Sequence, residues 1–242
     1  MSKELSSTAL RIKDAIVKYF NLEIWEILQS VNTNKYIIAG GFIHDVLNDA
    51  EPNDMDIFIL CRDEFGRLIE KLTTKMNCEL KFYKSIVEVS HSSFSKTIQL
   101  INSRRKDPWE IMDDFDFDYN RAFLHQNIVF AGINCLQCWE TKKIDNPYGY
   151  NTYITKLRFS KALEKGYTFT PRFIKLVFNC DLDEYEITPA KIMELVDSND
   201  DIPTTRKLNE TDIILATSDT DLALKTFEEI TSKNILNMTL RL

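Results

Sequence analysis

The segment IIAGGFIHDVLNDAEPNDMDIFIL, residues 37–60, constrains the fold of this chain more than any other. Its first apolar run ends at Gly40 and Gly41, and its second begins with Asp54 and Asp56. The content of isoleucine and other strand-forming residues predicts two buried strands, and the stretch between them fits a short helix that starts after the glycine pair. The segment therefore predicts a strand, a glycine turn, a helix and an Asp-x-Asp strand, in that order.

The two aspartates indicate a particular chemistry. Side chains alternate between the faces of a strand, so Asp54 and Asp56 share one face while Met55 and Ile57 point into the protein. Like charges this close repel each other, and a hard cation such as Mg²⁺ (or Mn²⁺), which prefers oxygen ligands, neutralises them. Mg²⁺ usually binds through one or two carboxylates plus substrate phosphates, so the pair predicts a phosphate-bearing substrate. A solvated acidic turn is the alternative for an isolated pair.

The glycine pair fits the same chemistry. A strand that ends in glycines and opens into a helix lets a phosphate approach backbone N–H groups and the positive end of the helix. We therefore expect Gly40 and Gly41 to seat phosphates beside the metal ligands Asp54 and Asp56. Each motif alone is weak, and their order and spacing strengthen both.

The rest of the chain predicts an α+β part followed by a helical part. Strands are expected over 78–83, 85–90 and 96–101, a hairpin over 121–132, and helices over 7–31, 63–76, 152–166, 171–179, 188–197 and 219–236. The turn-rich stretch DNPYGYN at 145–151 predicts a boundary between an α+β domain, 1–147, and a helical domain, 148–242. The expected fold class is α+β, with a mixed sheet in the first domain.

Charge and composition exclude some functions. The net charge of −7 and the pI near 5.1 argue against a protein whose whole surface binds nucleic acid. The first residues lack the apolar core of a signal peptide, and no apolar run approaches the length of a membrane span. Five cysteines without a secretory signal indicate reduced thiols. We expect a cytoplasmic protein without a membrane partner, located in the host cytoplasm or the virion if it is viral.

GGFIHD followed by NDMDIFIL resembles the signature of the DNA polymerase β-type nucleotidyltransferase superfamily. In tRNA CCA-adding enzymes and bacterial poly(A) polymerases this signature reads Gly-Gly-x-x-Arg-Asp and then Asp-x-Asp. DFDYNRAF, 116–123, is similar to their Asp-Phe-x-x-Asn-x-Ala segment, and LRFSKALEKGY, 157–167, resembles a helix of phage and large-virus relatives. The matching signature positions are Gly40, Gly41, Asp45, Asp54 and Asp56, and the resemblance implies that Asp45 binds the nucleotide together with the glycine pair.

The resemblance implies a nucleotidyltransferase-like sheet and a two-metal mechanism. Asp54 and Asp56 would hold the metal ions that grip the triphosphate of an NTP, and a nucleoside monophosphate would pass to an acceptor as pyrophosphate leaves. By resemblance alone, Asn120 and Arg121 are expected to contact base or ribose. Resemblance and helical spacing together suggest that Arg158 and Lys161 line a nucleotide cleft, with a solvated helix face as the alternative.

Two positions depart from the family pattern. Active members carry a third carboxylate on a neighbouring strand, where this chain aligns Gln99, an uncharged amide. Glu88 is our candidate for the third catalytic carboxylate, with an outward-facing strand residue as its alternative, and Asp116 is a further candidate. His44 replaces the usual arginine among the nucleotide-binding positions, and histidine is mostly neutral at pH 7.

Other motifs carry less information. CLQC, 135–138, has the spacing of a metal or redox motif but lacks a second ligand pair, which favours two thiols on a helix beside Trp139. RRK, 104–106, favours a solvated loop, with a phosphate or RNA contact as the alternative.

Two hypotheses of different classes follow. The first is a Mg²⁺-dependent nucleotidyltransferase whose acceptor is an RNA 3′ end, a nucleotide or small molecule, or a protein hydroxyl. The second is a relative with degraded catalysis that serves as a binding or structural module, for example in a virus particle or a toxin–antitoxin-like complex. A third carboxylate within reach of Asp54 and Asp56 would favour the enzyme, and Gln99 alone would favour the module. The sequence does not determine the oligomeric state.

Overall fold

The computed structural model describes residues 7–83, 86–146, 155–202 and 215–239. The helices are α1 Ser7–Phe20, α2 Leu22–Ser30, α3 Gly41–Leu47, α4 Arg62–Met76, α5 Pro108–Asp113, α6 Ile133–Thr141, α7 Lys156–Glu164, α8 Pro171–Phe178, α9 Pro189–Asp197 and α10 Thr220–Thr239. The strands are β1 Tyr36–Ala39, β2 Asp54–Ile59, β3 Glu79–Phe82, β4 Ile86–Ser90, β5 Thr97–Asn102, β6 Ala122–His125, β7 Ile128–Ala131, β8 Lys143–Ile144, β9 Thr168–Phe169 and β10 Leu215–Thr217.

Eight of the described strands form one mixed sheet in the order β10-β3-β4-β5-β2-β1-β6-β7. Strands β2 and β5 run parallel, whereas β1 is antiparallel to β2 and β4 is antiparallel to β5. β8 and β9 form a separate two-stranded parallel pair. Within the described residues, the predicted strands and helices are confirmed, apart from differences of a few residues at their ends.

The chain divides into two compact units, each discontinuous in sequence. The first comprises Met1–Asp107, Phe123–Val129 and Leu208–Leu242, and the second comprises Pro108–Ala122 and Phe130–Lys207. The predicted domain boundary after residue 147 falls outside the described residues and stays a prediction. The units differ from the predicted domains because β10 pairs with β3 and α10 packs on α4, which places the C-terminal elements in the first unit.

The core of the first unit lies against one face of the sheet. Ile57 on β2 and Leu100 on β5 line a small apolar cavity with Leu28 of α2 and with Leu68 of α4, and all four side chains are buried. These residues occupy alternate positions of their strands and one face of their helices, as the two periodicities require. The other face of the same strands is only half-buried, and it carries the two aspartates.

Aromatic side chains dominate the core of the second unit. Phe117 packs edge-on to Phe159 and Phe169, with ring centroids 5.5 and 5.6 Å apart, and Tyr119 stacks on Tyr167 at 4.6 Å. All five side chains are buried. Such pairs add to the stability that burial alone provides. This cluster joins the 116–123 segment to the helical part of the unit.

Candidate functional site

Asp54 and Asp56 lie on the same face of β2. Both are half-buried, whereas Met55 and Ile57 between and beyond them are 0% and 1% exposed on the opposite face. The predicted orientation of these four side chains is confirmed. The strand therefore fixes two carboxylates side by side at its first and third residues.

The antiparallel pairing of β1 with β2 brings the glycine turn to the aspartates. Ala39, the last residue of β1, stands opposite Asp56, so Gly40 and Gly41 follow beside the start of β2. Gly40 has φ 78° and ψ −141°, a conformation that side chains disfavour and glycine adopts readily. Gly41 begins α3, and a Cβ added to it would meet no atom within 4 Å. The two motifs that the sequence separates by a dozen residues are thus neighbours in the sheet.

His44 and Asp45 are buried within α3. Their side chains are 4% and 3% exposed, and Nδ1 of His44 lies 2.6 Å from Oδ1 of Asp45. The backbone carbonyl of Asp45 also accepts the N–H of Ala50, which fixes the loop that leads back to β2. This burial favours a role in holding α3 and its loop in position over direct contact with a nucleotide. Direct contact by these two residues stays a prediction.

Gln99 occupies the position beside Asp56 on the next strand. Parallel pairing sets Asp56 opposite Gln99, and antiparallel pairing sets Gln99 opposite Glu88. Glu88 therefore lies two strands, or roughly 10 Å between Cα atoms, from Asp56. Its Oε2 lies 3.5 Å from the hydroxyl of Tyr83. In the part of the chain that the structure describes, no three His, Cys, Asp or Glu side chains are grouped to hold a metal ion. The catalytic role of Glu88 stays a prediction.

An apolar row follows the polar one on the same face. Phe58 stands opposite Ile101 of β5, and Ile101 stands opposite Ile86 of β4. All three side chains are half-buried. We call Phe58, Ile101 and Ile86 the apolar row. The sequence gives no signal for it, because the three residues meet only through the register of non-consecutive strands.

The remaining predicted site residues belong to the second unit. Arg158 of α7 forms an ion pair with the buried carboxylate of Asp116. A nitrogen of Arg121 lies 2.6 Å from a carboxylate oxygen of Asp113. These ion pairs give both arginines a structural role in their own unit. Two further predicted residues, Asn120 and Lys161, are half-buried and exposed, respectively. Nucleotide contact by these four side chains stays a prediction.

Asp118 has a structural role within the second unit. Its carboxylate accepts the backbone N–H groups of Asp145 and Asn146 at 3.1 and 3.0 Å. Burial raises the pKa of Asp118, and the hydrogen bonds from Asn146 and Asp145 oppose that rise. Asp118 therefore anchors a neighbouring segment of the second unit.

Comparison with known sequences assigns a family. The profile described as Gad2, Gabija anti-defense 2 family protein, matches residues 10–142, which is more than half of the chain. The chain belongs to the Gabija anti-defense 2 family. The matched range contains the glycine turn, both aspartates and Gln99. No curated protein matches this Gabija anti-defense 2 family member.

Solved structures show the fold. A structure named "tRNA-processing enzyme (apo form I)" has a TM-score of 0.50 and 13% identity, covering 74% of this chain and 48% of its own. "The complex structure of CCA-adding enzyme with CTP" has a TM-score of 0.50 and 11% identity, covering 69% of this chain and 44% of its own. The chain thus spans less than half the length of these structures. At such identity the likeness shows the fold alone, and it confirms the predicted nucleotidyltransferase-like α+β class.

The C-x-x-C motif lies on α6, as expected. Cys135 and Cys138 are buried, Sγ of Cys135 donates weakly to the carbonyl of Tyr119 at 3.7 Å, and Trp139 donates to the same carbonyl at 2.8 Å. Burial raises the pKa of Cys135 to about 12 and that of Cys138 further. Both thiols are protonated at neutral pH, which disfavours metal binding and nucleophilic attack.

Alkylation will separate the five cysteines into two classes. Native protein treated with iodoacetamide at pH 8 is expected to react at the half-buried Cys61 and Cys180 and to spare the buried Cys78, Cys135 and Cys138. Burial also raises the pKa of Cys78, to about 12, so few thiolates form there. Mass spectrometry of tryptic peptides measures each site, and protein unfolded in urea is the control in which all five react. Rapid native alkylation of Cys135 would contradict the burial.

Proposed function

We propose that this chain is a divalent-metal-dependent nucleotidyltransferase that acts against the Gabija defence. It transfers a nucleoside monophosphate from an NTP to an acceptor hydroxyl. The observation that carries the proposal is the alignment of Asp54 and Asp56 on one half-buried face, with the Gly40–Gly41 turn on the adjacent strand. The family name supplies the biological direction, and the cytoplasm of the infected cell is the proposed setting.

The donor set fits Mg²⁺ or Mn²⁺ at the aspartates. Two carboxylates from one strand face, with the amide of Gln99 beside them, offer only oxygen and amide ligands, which hard cations prefer. Asp54 and Asp56 would hold the ion. When bound there, a divalent cation would neutralise triphosphate charge and would lower the pKa of the attacking hydroxyl.

The residues of the chain bind and orient the NTP. Gly41 leaves open space where a side chain would stand, which lets the triphosphate approach backbone N–H groups at the start of α3. The buried pair His44 and Asp45 holds α3 and its loop in place. Catalysis by such a site comes mainly from positioning and charge neutralisation.

One observation favours a second candidate, an NTP-binding module without turnover. Gln99 occupies the position beside Asp56, and Glu88 lies a strand further away. An amide binds a hard cation less strongly than a carboxylate does, which weakens activation of the acceptor hydroxyl more than it weakens NTP binding. Such a module would counteract Gabija by sequestering a nucleotide.

A label-transfer assay tests the proposal. Purified protein is incubated with each α-labelled NTP and Mg²⁺ or Mn²⁺, together with pools of RNA and protein, and NTP binding is measured in parallel. We expect metal-dependent transfer of label and release of pyrophosphate. Metal-dependent binding without transfer would select the module, and the absence of both would contradict the proposed function.

A matched pair of glycine variants separates the fold from the ligand site in this assay. Gly41→Ala is expected to fold, because its Cβ meets open space and alanine favours helices, but to bind NTP more weakly because the methyl group blocks the phosphates. Gly40→Ala is expected to lose about 1–3 kcal/mol of stability, because φ 78° is strained for alanine. Unchanged NTP affinity in Gly41→Ala would contradict the proposal that the glycine turn binds the phosphates.

A further inference from the structure

We infer that the acceptor is a protein hydroxyl presented among apolar side chains, and that it is not a nucleic-acid strand. The inference rests on the proposed function and adds the acceptor class to it. Two properties of the half-buried sheet face around Asp54 and Asp56 carry it: the position of the apolar row and the balance of charge.

The apolar row lies next to the aspartate pair on the same face of the sheet. Phe58 is two residues after Asp56 on the same face of β2, which places their Cα atoms roughly 7 Å apart. Ile101 and Ile86 continue the row across the next two strands. An acceptor held over this face buries apolar surface, which favours an acceptor that carries apolar side chains over a ribose-phosphate chain. Half-buried side chains on three neighbouring strands make a continuous strip for such contact.

The charge of the same face opposes a polyanion. Its outward positions on β2 to β5 hold two carboxylates besides the aspartate pair, Glu79 and Glu88, and a single cation, Lys81. Lys81 stands directly opposite Glu88, so its charge is offset. Nucleic-acid affinity depends on phosphates neutralised by lysine and arginine, and the outward positions of β2 to β5 that the structure describes offer none beyond Lys81.

The described cations near the start of β2 include Arg11 and Lys96, and their charges are offset by ion pairs with Asp49 and Glu51 of the loop before that strand. The exposed run Arg104–Lys106 follows the C-terminal end of β5, whereas Gln99 lies near its N-terminal end. In the second unit, Arg121 and Arg158 form ion pairs with Asp113 and Asp116. The exposed run Arg104–Lys106 is therefore the control for contact with RNA.

The proposed step balances with the NTP as the only co-reactant. The oxygen of a serine, threonine or tyrosine hydroxyl forms a bond to the α-phosphorus. The bond between that phosphorus and the oxygen bridging to the β-phosphate breaks, and pyrophosphate leaves with the electron pair. The hydroxyl proton passes to water. The product is a protein that carries a nucleoside monophosphate in a phosphodiester bond.

The test presents both acceptor classes to the same enzyme. The full chain is incubated with α-labelled NTP and Mg²⁺, once with purified Gabija proteins and once with total cellular RNA, and the products are treated with proteinase K or ribonuclease. We expect label that proteinase K removes and ribonuclease spares. Label that ribonuclease removes would overturn the inference and leave the proposed function standing. No label in either mixture would overturn both.

Two variants test the surface itself. Ile86→Thr keeps a β-branched side chain on β4 but makes the apolar row polar, and we expect protein labelling to fall roughly five- to tenfold with NTP binding within twofold of wild type. The triple variant Arg104→Ala, Arg105→Ala and Lys106→Ala is expected to label protein like wild type. Loss of labelling in the triple variant, with full labelling in Ile86→Thr, would overturn the inference.

Discussion

Replacing Asp56 with asparagine is expected to lower nucleotidyl transfer at least about 100-fold while the protein keeps its fold. Asparagine has nearly the same shape as aspartate but lacks the negative charge that a hard cation requires. Asp54 also loses a like-charged neighbour, so the substitution relieves repulsion on that face of β2. The measurements are kcat/KM for label transfer and the thermal unfolding temperature of the same preparation.

Asp63→Asn is the matched control. Asp63 is an exposed carboxylate in the first turn of α4. We therefore expect the same chemical change there to lower the stability by at most about 0.5 kcal/mol and to leave nucleotidyl transfer unchanged. If the Asp56→Asn variant transferred label with the kcat/KM of the wild type, the aspartate pair would not be the metal site. The observation that carries the proposed function would then be lost.

Under the proposed function, Gln99 limits how strongly the site can bind a metal ion. Gln99 on β5 stands opposite Asp56 of β2 on one side and opposite Glu88 of β4 on the other. Strand β5 therefore lies between the carboxylates of Asp56 and Glu88. A site of this kind relies on Asp54 and Asp56 alone among the described carboxylates of the face. We therefore expect a stronger dependence on metal concentration than a three-carboxylate site shows, and the choice of Mn²⁺ or Mg²⁺ to matter.

The sequence predicts the elements of this fold well where the signals are local. The glycine ending of β1 and the alternation in β2 depend on a few neighbouring residues, and both are confirmed. The 121–132 hairpin turns at Gln126 and Asn127, which have φ 51° and 61°, a conformation that asparagine tolerates. Short-range chemistry therefore identifies the strands and the motif that they display.

Features that depend on pairing between distant segments were not predictable in the same way. The distance from Glu88 to Asp56 follows from the register of β4, β5 and β2, and a shift of one residue would move Glu88 to the other face. The return of β10 to pair with β3 joins segments more than 100 residues apart and has no local signal. The burial of His44 and Asp45 likewise depends on what packs around α3, so a motif position predicted to bind nucleotide proved to be buried.

Replacing Arg158 with alanine is expected to lower the stability of the second unit by about 2–4 kcal/mol. Asp116 is 1% exposed, so its carboxylate stays buried when the arginine of its ion pair is removed. The Arg158 side chain is 44% exposed, and solvent screening places the effect toward the lower end of the range known for buried pairs. For a unit of this size the loss corresponds to a fall of about 10 °C or more in unfolding temperature. Calorimetry or circular dichroism measures it.

Lys161→Ala on the same helix is the matched control for stability. Lys161 is exposed, so its loss is expected to change stability by no more than about 0.5 kcal/mol. Adding Asp116→Asn to Arg158→Ala removes the buried charge and is expected to restore part of the stability, which a double-mutant cycle quantifies. An Arg158→Ala protein as stable as Lys161→Ala would show that the ion pair does not hold the unit together. The structural role of Arg158 would then be lost, and its predicted contact with the nucleotide would remain.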